Sequence, residues 1–322
     1  MTDAGVRGGL LAVHAHPDDE TLSTGALLAT WAASGRPVTL VTCTRGEQGE
    51  VIGPLAHLQG DGGRLAAHRE RELAAATGAL GVRDHVFLDE LPTGDPEPAA
   101  RYADSGMAWV GTGEAGAVVD LPPDAFVAAD LETAARRLAA LVRDKRPDVV
   151  VGYEPRGGYG HPDHVRAHEV MMRAVELAAA SPGRTGPVGS GDETVSSAGG
   201  AWDVPVVLWA AADEQELRDG YRAAAQWVEA DLVAPDPDGA LPSCAVPTTD
   251  LKVEVGPVLD AVVGALTAHA TQVRALRRHP GAVPASFALS NAVLQPVLAH
   301  EAYVVARGSV GTVVWPSGVR VA

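Results

Sequence analysis

The amino-acid sequence predicts an α/β protein with a Rossmann-like, mostly parallel sheet flanked by helices and a smaller β-containing C-terminal portion. Two observations support this prediction. Short apolar runs alternate with longer stretches whose apolar residues recur at helical spacing, which is typical of parallel sheets with crossover helices. In addition, polar residues follow directly after several apolar runs, as they do at the carboxyl ends of strands in open α/β sheets.

The first β-α-β unit occupies the N-terminal part of the chain. The apolar run 9–13 has the length and the flanks of a short buried strand. Pro17 cannot donate to a strand ladder, so the strand ends before it. A helical pattern begins at Thr21, and a second strand is predicted at 37–43. A strand, a helix and a second strand in this order make the two strands parallel.

The rest of the chain continues the same alternation. Further helices are predicted at 65–80, 123–145, 165–180, 214–230 and 257–276. Further strands are predicted at 85–88, 147–153, 204–210, 251–255, 303–306 and 310–315. The stretch 91–123 shows no sustained period and is predicted to be a long loop. The stretch 181–200 holds six Gly, four Ser and two Pro, which indicates a flexible linker or surface loop.

Composition argues against several classes of function. The chain has 322 residues and a formal net charge of −16, which argues against binding nucleic acid or an anionic membrane. No apolar run approaches the roughly 18 residues of a membrane span, and the N-terminus lacks the features of a signal peptide. Cys43 and Cys244 are the only cysteines, too few for a disulfide framework. We therefore expect a cytoplasmic protein that binds neither nucleic acid nor membranes, either a monomer or a homo-oligomer.

Two polar clusters follow predicted strands. The first is His14-Ala15-His16-Pro17-Asp18-Asp19-Glu20, directly after the strand at 9–13. An imidazole and a carboxylate three residues apart can reach one divalent metal, and a neighbouring carboxylate is then left to act as a base. The alternative is that the three carboxylates only cap the following helix. One carboxylate would suffice for capping, so three beside two His favour a site.

The second cluster, 154–164, follows the strand at 147–153 and ends in His-Pro-Asp-His. His16, Asp19 and one of His161 and His164 form a pattern of two His and one carboxylate, which is that of a catalytic zinc site with an open position. The same set also suits ferrous iron. Both His could ligate if Pro162 starts a helix. We favour one as ligand and the other in catalysis, with Asp163 holding the catalytic imidazole in one tautomer.

The motifs of several other classes of protein are absent from the sequence. No phosphate-binding Walker loop, no Gly-x-Gly-x-x-Gly after the first strand, no Gly-x-Ser-x-Gly and no Cys-x-x-Cys is present. Six further His are expected to be hydrogen-bonded or exposed rather than functional: His57, His68, His85, His269, His279 and His300. The metal-site domain is predicted to cover 1–180, with 181–200 as linker and 201–322 as the elements that complete the fold and cover the site.

At these residues the chain resembles a known family. His16-Pro17-Asp18-Asp19-Glu20 and His161-Pro162-Asp163-His164 resemble the PIG-L/LmbE-like family of metal-dependent N-acetylglucosamine-type deacetylases. Longer pieces resemble the mycothiol-pathway branch of that family, namely 43–53, 104–107, 157–165, 269–273 and 288–291. This resemblance implies hydrolysis of the acetamide of 1-O-(2-acetamido-2-deoxy-glucopyranosyl)-myo-inositol, which gives acetate and the free glucosaminyl-inositol.

The resemblance also implies roles for individual residues. His16, Asp19 and His164 become the ligands of Zn²⁺, with Fe²⁺ as the other candidate metal. Asp18 becomes the general base, and three further residues join the catalytic set: His161 as general acid or oxyanion partner, Tyr159 as a donor to the substrate carbonyl, and Asp163. Arg69, Asp104 and Glu50 fall where the family binds sugar and inositol hydroxyls. Ser23 is assigned to the same substrate-binding set. Whether His161 or Asp18 protonates the leaving amine stays open.

Three alternatives are weighed against this interpretation. The amidase that cleaves mycothiol S-conjugates shares the first motif but typically has Lys where this chain has Ser23. A non-catalytic sugar-binding protein would have lost a ligand or the base, and all are present. A nucleotide-binding Rossmann protein would carry the glycine fingerprint after its first strand. The sequence therefore favours the deacetylase.

Overall fold

The computed structural model describes residues 8–92, 101–111, 114–116, 120–180, 200–229 and 231–322. The predicted linker lies outside these residues except for Gly200, and part of the predicted 91–123 loop lies outside them too. The helices are α1 Asp19–Ala33, α2 Gly62–Leu80, α3 Leu131–Lys145, the single turn α4 Gly157–Gly160, α5 Pro162–Ala179, α6 Glu214–Ala224 and α7 Leu259–Ala268. No helix among the described residues is both long and apolar enough to cross a membrane.

The strands of the described residues form one large sheet and two small ones. They are β1 Leu10–His14, β2 Val38–Thr42, β3 Asp84–Phe87, β4 Ala108–Gly111, β5 Glu114–Gly116, β6 Val149–Gly152, β7 Val206–Asp213, β8 Ala245–Val246, β9 Leu251–Glu254, β10 Arg274–Arg278, β11 Ala285–Ala288, β12 Leu294–Val297, β13 His300–Gly308 and β14 Val319–Val321. The large sheet runs in the order β14-β9-β13-β7-β6-β1-β2-β3, with β8 beside β7.

The order of the parallel strands determines where a site can form. Strands β3, β2, β1, β6 and β7 are neighbours in that order and all run parallel. The chain moves outward in one direction from β1 to β3 and then in the other direction from β6 to β7. Such a reversal leaves a crevice at the carboxyl ends of the two central strands, where open α/β sheets bind ligands. Here those strands are β1 and β6.

The C-terminal part extends the same sheet and adds a small one. Strand β13 pairs antiparallel with both β7 and β9, and β14 pairs antiparallel with β9. Strands β10, β11 and β12 form a separate antiparallel sheet. The predicted fold class, a mostly parallel sheet with a smaller β-containing C-terminal portion, is confirmed.

Both faces of the parallel sheet are buried. Along β1, Leu10 and Ala12 belong to the core on one face, while Leu11 and Val13 belong to the core on the other. Helices α1, α2 and α7 pack on the first face and α3 and α5 on the second. A strand buried on both faces needs apolar residues at consecutive positions, which explains the continuous apolar runs in the sequence.

Several predicted boundaries are wrong. The helix predicted at 123–145 begins at Leu131, because the Asp130 carboxylate accepts a hydrogen bond from the Thr133 amide at 2.8 Å and so caps the helix there. The helix predicted at 257–276 ends at Ala268, because the chain turns at His269 and becomes strand β10. The helix predicted to end at Ala230 ends at Ala224.

The prediction of a strand at 310–315 and that of a continuous loop at 91–123 are also wrong. Of the residues predicted as a strand at 310–315, Val310–Thr312 form a short 3-10 turn and the rest have no regular structure, and the strand of this region lies at Val319–Val321 instead. The Trp315 indole donates to the Val310 carbonyl at 2.8 Å, which folds this stretch back on itself. Within the predicted loop at 91–123, strands β4 and β5 pair with each other.

Candidate metal centre and active site

The candidate site lies at the carboxyl ends of β1 and β6. His16 follows β1 by two residues, and Asp19 is the first residue of α1. His164 is the third residue of α5, whose first residue is Pro162 as the sequence allowed. The two strand ends therefore bring together side chains that are about 145 residues apart in the chain. All three side chains are buried, with exposures of 6% or less.

Three donor atoms converge on one point. His16 Nδ1 lies 3.2 Å from Asp19 Oδ2, His164 Nε2 lies 3.2 Å from the same oxygen, and the two nitrogens lie 3.3 Å apart. Ligand atoms bound at about 2.0–2.1 Å to one tetrahedral ion are about 3.3–3.4 Å apart. The triangle therefore matches one face of a tetrahedral site. The residues present fit a divalent metal with two nitrogen ligands and one oxygen ligand.

A carboxylate holds the opposite nitrogen of His16. Asp163 Oδ2 lies 3.1 Å from His16 Nε2, and the Asp163 carboxylate also accepts from the Ser105 amide at 2.8 Å and from its hydroxyl. This contact leaves His16 Nδ1 free to face the other two donor atoms. Asp163 was expected to hold the imidazole of His161 in one tautomer, and its carboxylate contacts His16 instead. Only its backbone amide contacts the His161 ring, at 3.1 Å from Nδ1.

Tyr153 is a residue of the site that sequence reasoning missed. Its ring stacks on His164 with centroids 4.3 Å apart and an interplanar angle of 19°. Its hydroxyl accepts from the Ala15 amide at 2.9 Å and also interacts with Asp19. Tyr153 follows β6 directly, and in the sequence it cannot be told apart from an ordinary core aromatic.

Gly157 lets His164 approach the loop before it. His164 Nδ1 contacts the Gly157 carbonyl oxygen at 3.0 Å. Gly157 has a φ of +71°, and a Cβ there would lie 2.7 Å from His164 Cβ. Only glycine fits this conformation and this approach. Gly157 therefore shapes the site.

Asp18 is turned into the cavity instead of capping the helix. It occupies the N-cap position of α1, yet its carboxylate makes no capping hydrogen bond. Asp18 Oδ2 lies 3.2 Å from Arg69 Nη2. Burial raises the pKa of Asp18 to about 6, although the Arg69 guanidinium acts to lower it. Asp18 directly precedes Asp19 in the chain and lines the same cavity as His16, Asp19 and His164.

His161 and Tyr159 lie on another side of the same donors. The His161 ring centroid is 4.6 Å from that of His16 and 4.9 Å from that of His164. One ring nitrogen from each of these three His lies within 4.8 Å of the others. The Tyr159 ring centroid is 5.0 Å from that of His164. Burial and the two neighbouring imidazoles hold the pKa of His161 well below its usual value.

The hydrogen bond to His161 assigns its tautomer. His161 Nδ1 accepts from the Asp163 amide at 3.1 Å, so the neutral ring carries its proton on Nε2. Burial raises the pKa of Tyr159, so its hydroxyl stays protonated. Both side chains are therefore donors at neutral pH.

The four predicted substrate-binding residues line one cavity of about 830 Å³ together with the donor atoms. Glu50 is exposed and Ser23 half-buried, so both offer accessible polar atoms. Arg69 and Asp104 are almost fully buried. Arg69 donates to the Gly46 carbonyl at 3.0 Å and to that of Pro17, so much of its guanidinium is used within the protein.

Asp104 also makes contacts within the protein. Its carboxylate accepts from the Gln48 amide at 3.2 Å and from the Gly106 amide at 2.8 Å, and it lies 3.6 Å from His16 Nε2. The structure therefore brings all the predicted site residues together. It leaves Glu50 and Ser23 with more freedom to contact a ligand than Arg69 or Asp104.

Comparisons with known proteins find a matching family model and several similar relatives. The family model described as PIG-L, GlcNAc-PI de-N-acetylase, matches residues 11–175. A protein of Kineococcus radiotolerans named 1D-myo-inositol 2-acetamido-2-deoxy-α-D-glucopyranoside deacetylase is 46% identical, over 94% of this chain and 78% of that protein. Proteins of the same name from Kribbella flavida and Rhodococcus erythropolis are 44% and 40% identical, over 82% and 94% of this chain and 82% and 92% of their own lengths.

Proposed function

This chain belongs to the PIG-L family of de-N-acetylases, and we propose that it hydrolyses the acetamide of 1D-myo-inositol 2-acetamido-2-deoxy-α-D-glucopyranoside in mycothiol biosynthesis. The products are acetate and the free glucosaminyl-inositol. The observation that carries this proposal is the triangle of His16, Asp19 and His164 donor atoms beside the Asp18 carboxylate. The substrate comes from the names of relatives that match this chain over most of its length.

The proposed metal is zinc, held by the three convergent donor atoms. Two imidazole nitrogens, one carboxylate oxygen and an open fourth position suit Zn²⁺, and ferrous iron suits the same ligands. A divalent ion at such a site lowers the pKa of water towards about 7 and polarises a carbonyl group. Asp163 and Tyr153 hold the ligands in position, because they contact His16 and Asp19 from outside the triangle.

Asp18 is the proposed general base. Its carboxylate is in the cavity and makes no capping bond, so an oxygen can accept the proton of the attacking water. Arg69 keeps this carboxylate in place through the contact at 3.2 Å. Arg69 is therefore proposed to position Asp18, in addition to its contacts with the Gly46 and Pro17 carbonyls.

His161 and Tyr159 are the proposed donors to the substrate. Attack on the acetamide carbonyl places negative charge on its oxygen, and donors already in position stabilise that charge. His161, whose neutral ring carries its proton on Nε2, and Tyr159 both line the cavity. The leaving amine takes a proton from His161 Nε2 or from Asp18, which has just received one.

The cavity suits a neutral ligand rich in hydroxyl groups. Sugar hydroxyls are recognised by hydrogen bonds, and Glu50, Ser23 and Asp104 bring carboxylate and hydroxyl oxygens to the wall. The cavity volume of about 830 Å³ leaves room for both rings of the substrate. The cytoplasmic location and the oligomeric state stay predictions.

Acetate release tests the proposal. The enzyme is assayed with the N-acetylglucosaminyl-inositol, with and without a chelator, and with a mycothiol S-conjugate in competition. Release of acetate that stops on chelation and returns on adding Zn²⁺ supports the proposal. A preference for the conjugate would instead make the protein an amidase with the same metal site. Chelator-resistant release would contradict the metal's role.

A further inference from the structure

Asp18 has a backbone conformation that its side chain disfavours. Its φ is 116° and its ψ is −34°, a region that residues other than glycine rarely occupy. A non-glycine residue remains there only when its surroundings hold it. Two backbone contacts use its carbonyl oxygen, which accepts from the Thr21 and Leu22 amides at 2.9 Å. The amide of Asp18 needs a partner of its own.

Glu20 supplies that partner. Its side chain is fully buried, and Glu20 Oε2 accepts from the Asp18 amide at 2.9 Å. The other oxygen, Oε1, accepts from the Thr21 hydroxyl and lies 2.7 Å from His269 Nε2. Glu20 is turned away from the three convergent donor atoms, although it belongs to the same motif as Asp18 and Asp19.

His269 holds Glu20 from the opposite end of the chain. The ring is fully buried, and it lies directly after α7, in the C-terminal portion. The next turn is anchored separately: Thr271 donates to the Glu72 carboxylate from its amide at 2.8 Å and from its hydroxyl at 2.6 Å. This anchor holds Thr271 and does not involve the contact between His269 and Glu20.

We propose that Glu20 and His269 are positioning residues that hold the backbone of Asp18 in the strained conformation that turns its carboxylate into the cavity. This inference rests on the proposed function, in which Asp18 is the base. Without the Glu20 acceptor the buried Asp18 amide would lose its partner, and the residue would relax towards an ordinary conformation. The carboxylate would then move away from the water it has to deprotonate. Because Glu20 is held by a residue 249 positions away, His269 in the C-terminal portion contributes to catalysis without touching the substrate.

The test compares variants of His269. His269→Leu removes the donor to Glu20, whereas His269→Gln keeps an N–H group near the place of Nε2. His269→Asn is polar but too short to reach Glu20, and it is a second removal variant if the leucine does not fold. Thr271→Val is the matched control, because it removes a buried contact of the same turn that does not involve Glu20.

The removal variants are expected to lose about tenfold to a hundredfold in kcat, as for a small displacement of a catalytic group. KM is expected to change less than about twofold, the metal content to stay stoichiometric, and His269→Gln to regain most of the kcat. The Asp18 amide should exchange its hydrogen at least about tenfold faster in the removal variants, since its acceptor has been loosened. Thr271→Val should change neither kcat nor this exchange.

Several results would overturn the inference. They are an unchanged kcat in the removal variants, an unchanged Asp18 exchange rate, or a kcat that falls only in step with the metal content. The amide exchange also separates this inference from the proposed function. An enzyme that releases no acetate, yet shows the faster exchange in His269→Leu, would remove the proposed function and leave the restraint on Asp18 standing.

Discussion

Replacing Asp163 tests how the ligand His16 is held. Asp163 is fully buried, and its carboxylate contacts His16 Nε2 at 3.1 Å and Ser105 through two further hydrogen bonds. In Asp163→Asn the amide oxygen can keep the contacts to His16 and the Ser105 amide, and the new amide group can donate to the Ser105 hydroxyl oxygen. That variant loses mainly the negative charge that makes His16 a stronger ligand. Asp163→Ala loses all of these contacts.

Loss of such a partner typically lowers metal affinity about tenfold to a hundredfold, or about 1.4–2.7 kcal/mol. We expect Asp163→Asn near the lower value and Asp163→Ala near the upper one. Zinc affinity is measured by competition with a fluorescent chelator. Asp89→Asn is the control, because Asp89 is also buried and contacts Arg45 and the Tyr102 amide, away from the donor atoms. If Asp163→Asn and Asp163→Ala both keep the wild-type zinc affinity, the argument that Asp163 supports His16 is refuted.

Three further predictions concern the same cavity. Gly157→Ala should destabilise the fold by about 1–3 kcal/mol in urea unfolding. It should also weaken zinc binding, because the new Cβ would meet His164 Cβ at 2.7 Å. An unchanged zinc affinity would count against the close approach. Burial raises the pKa of Glu301 from its ordinary value of 4.5, despite three donors to its carboxylate. The folded state therefore binds this proton more tightly than the unfolded state does. As the pH rises from 4.5 through the raised pKa, the stability of the wild type relative to Glu301→Gln should fall. A stability difference that is constant or rises over that range would contradict the sign. A double-mutant cycle of Arg69→Met and Asp18→Asn should give a coupling of about 0.5–3 kcal/mol in the free energy of unfolding, since both side chains are buried and 3.2 Å apart. Additive effects of the two substitutions would show that the pair is not coupled.

The sequence predicted the fold class and the location of the site for the same reason. Short continuous apolar runs with turn residues at their ends, such as 9–13, are typical of strands buried on both faces, and such strands occur in parallel sheets. Polar residues that follow β1 and β6 must then meet at one edge. That is why His16 and Asp19 could be grouped with one of His161 and His164 without any contact being known, while the choice of His164 came from the family resemblance. Their roles in the reaction stay proposals.

The partners of the site residues could not be predicted in the same way. Asp163 was expected beside His161, two residues away, but its carboxylate contacts His16 across the sheet edge. Chain distance favoured the first pairing, whereas the packing of α5 against the end of β1 decides the second. His269 was expected to be an ordinary hydrogen-bonded residue, and it is hydrogen-bonded. Only its partner, Glu20, connects it to the site.

Helix ends were the other weak point. The apolar pattern continues past Ala268 and starts before Leu131, so periodicity alone gives helices that are too long. A single capping carboxylate, Asp130, sets the start of α3. The buried ring of His269 marks the place where α7 stops. Such ends depend on local polar contacts that the periodicity of apolar residues does not show.

The central claim is that His16, Asp19 and His164 hold the metal while Asp18 acts as the base. The most direct test measures turnover and bound metal side by side in Asp18→Ala and His164→Ala. The account predicts that Asp18→Ala keeps stoichiometric zinc and loses nearly all acetate release, whereas His164→Ala loses the zinc itself. Wild-type turnover in Asp18→Ala, or full zinc retention in His164→Ala, would contradict it.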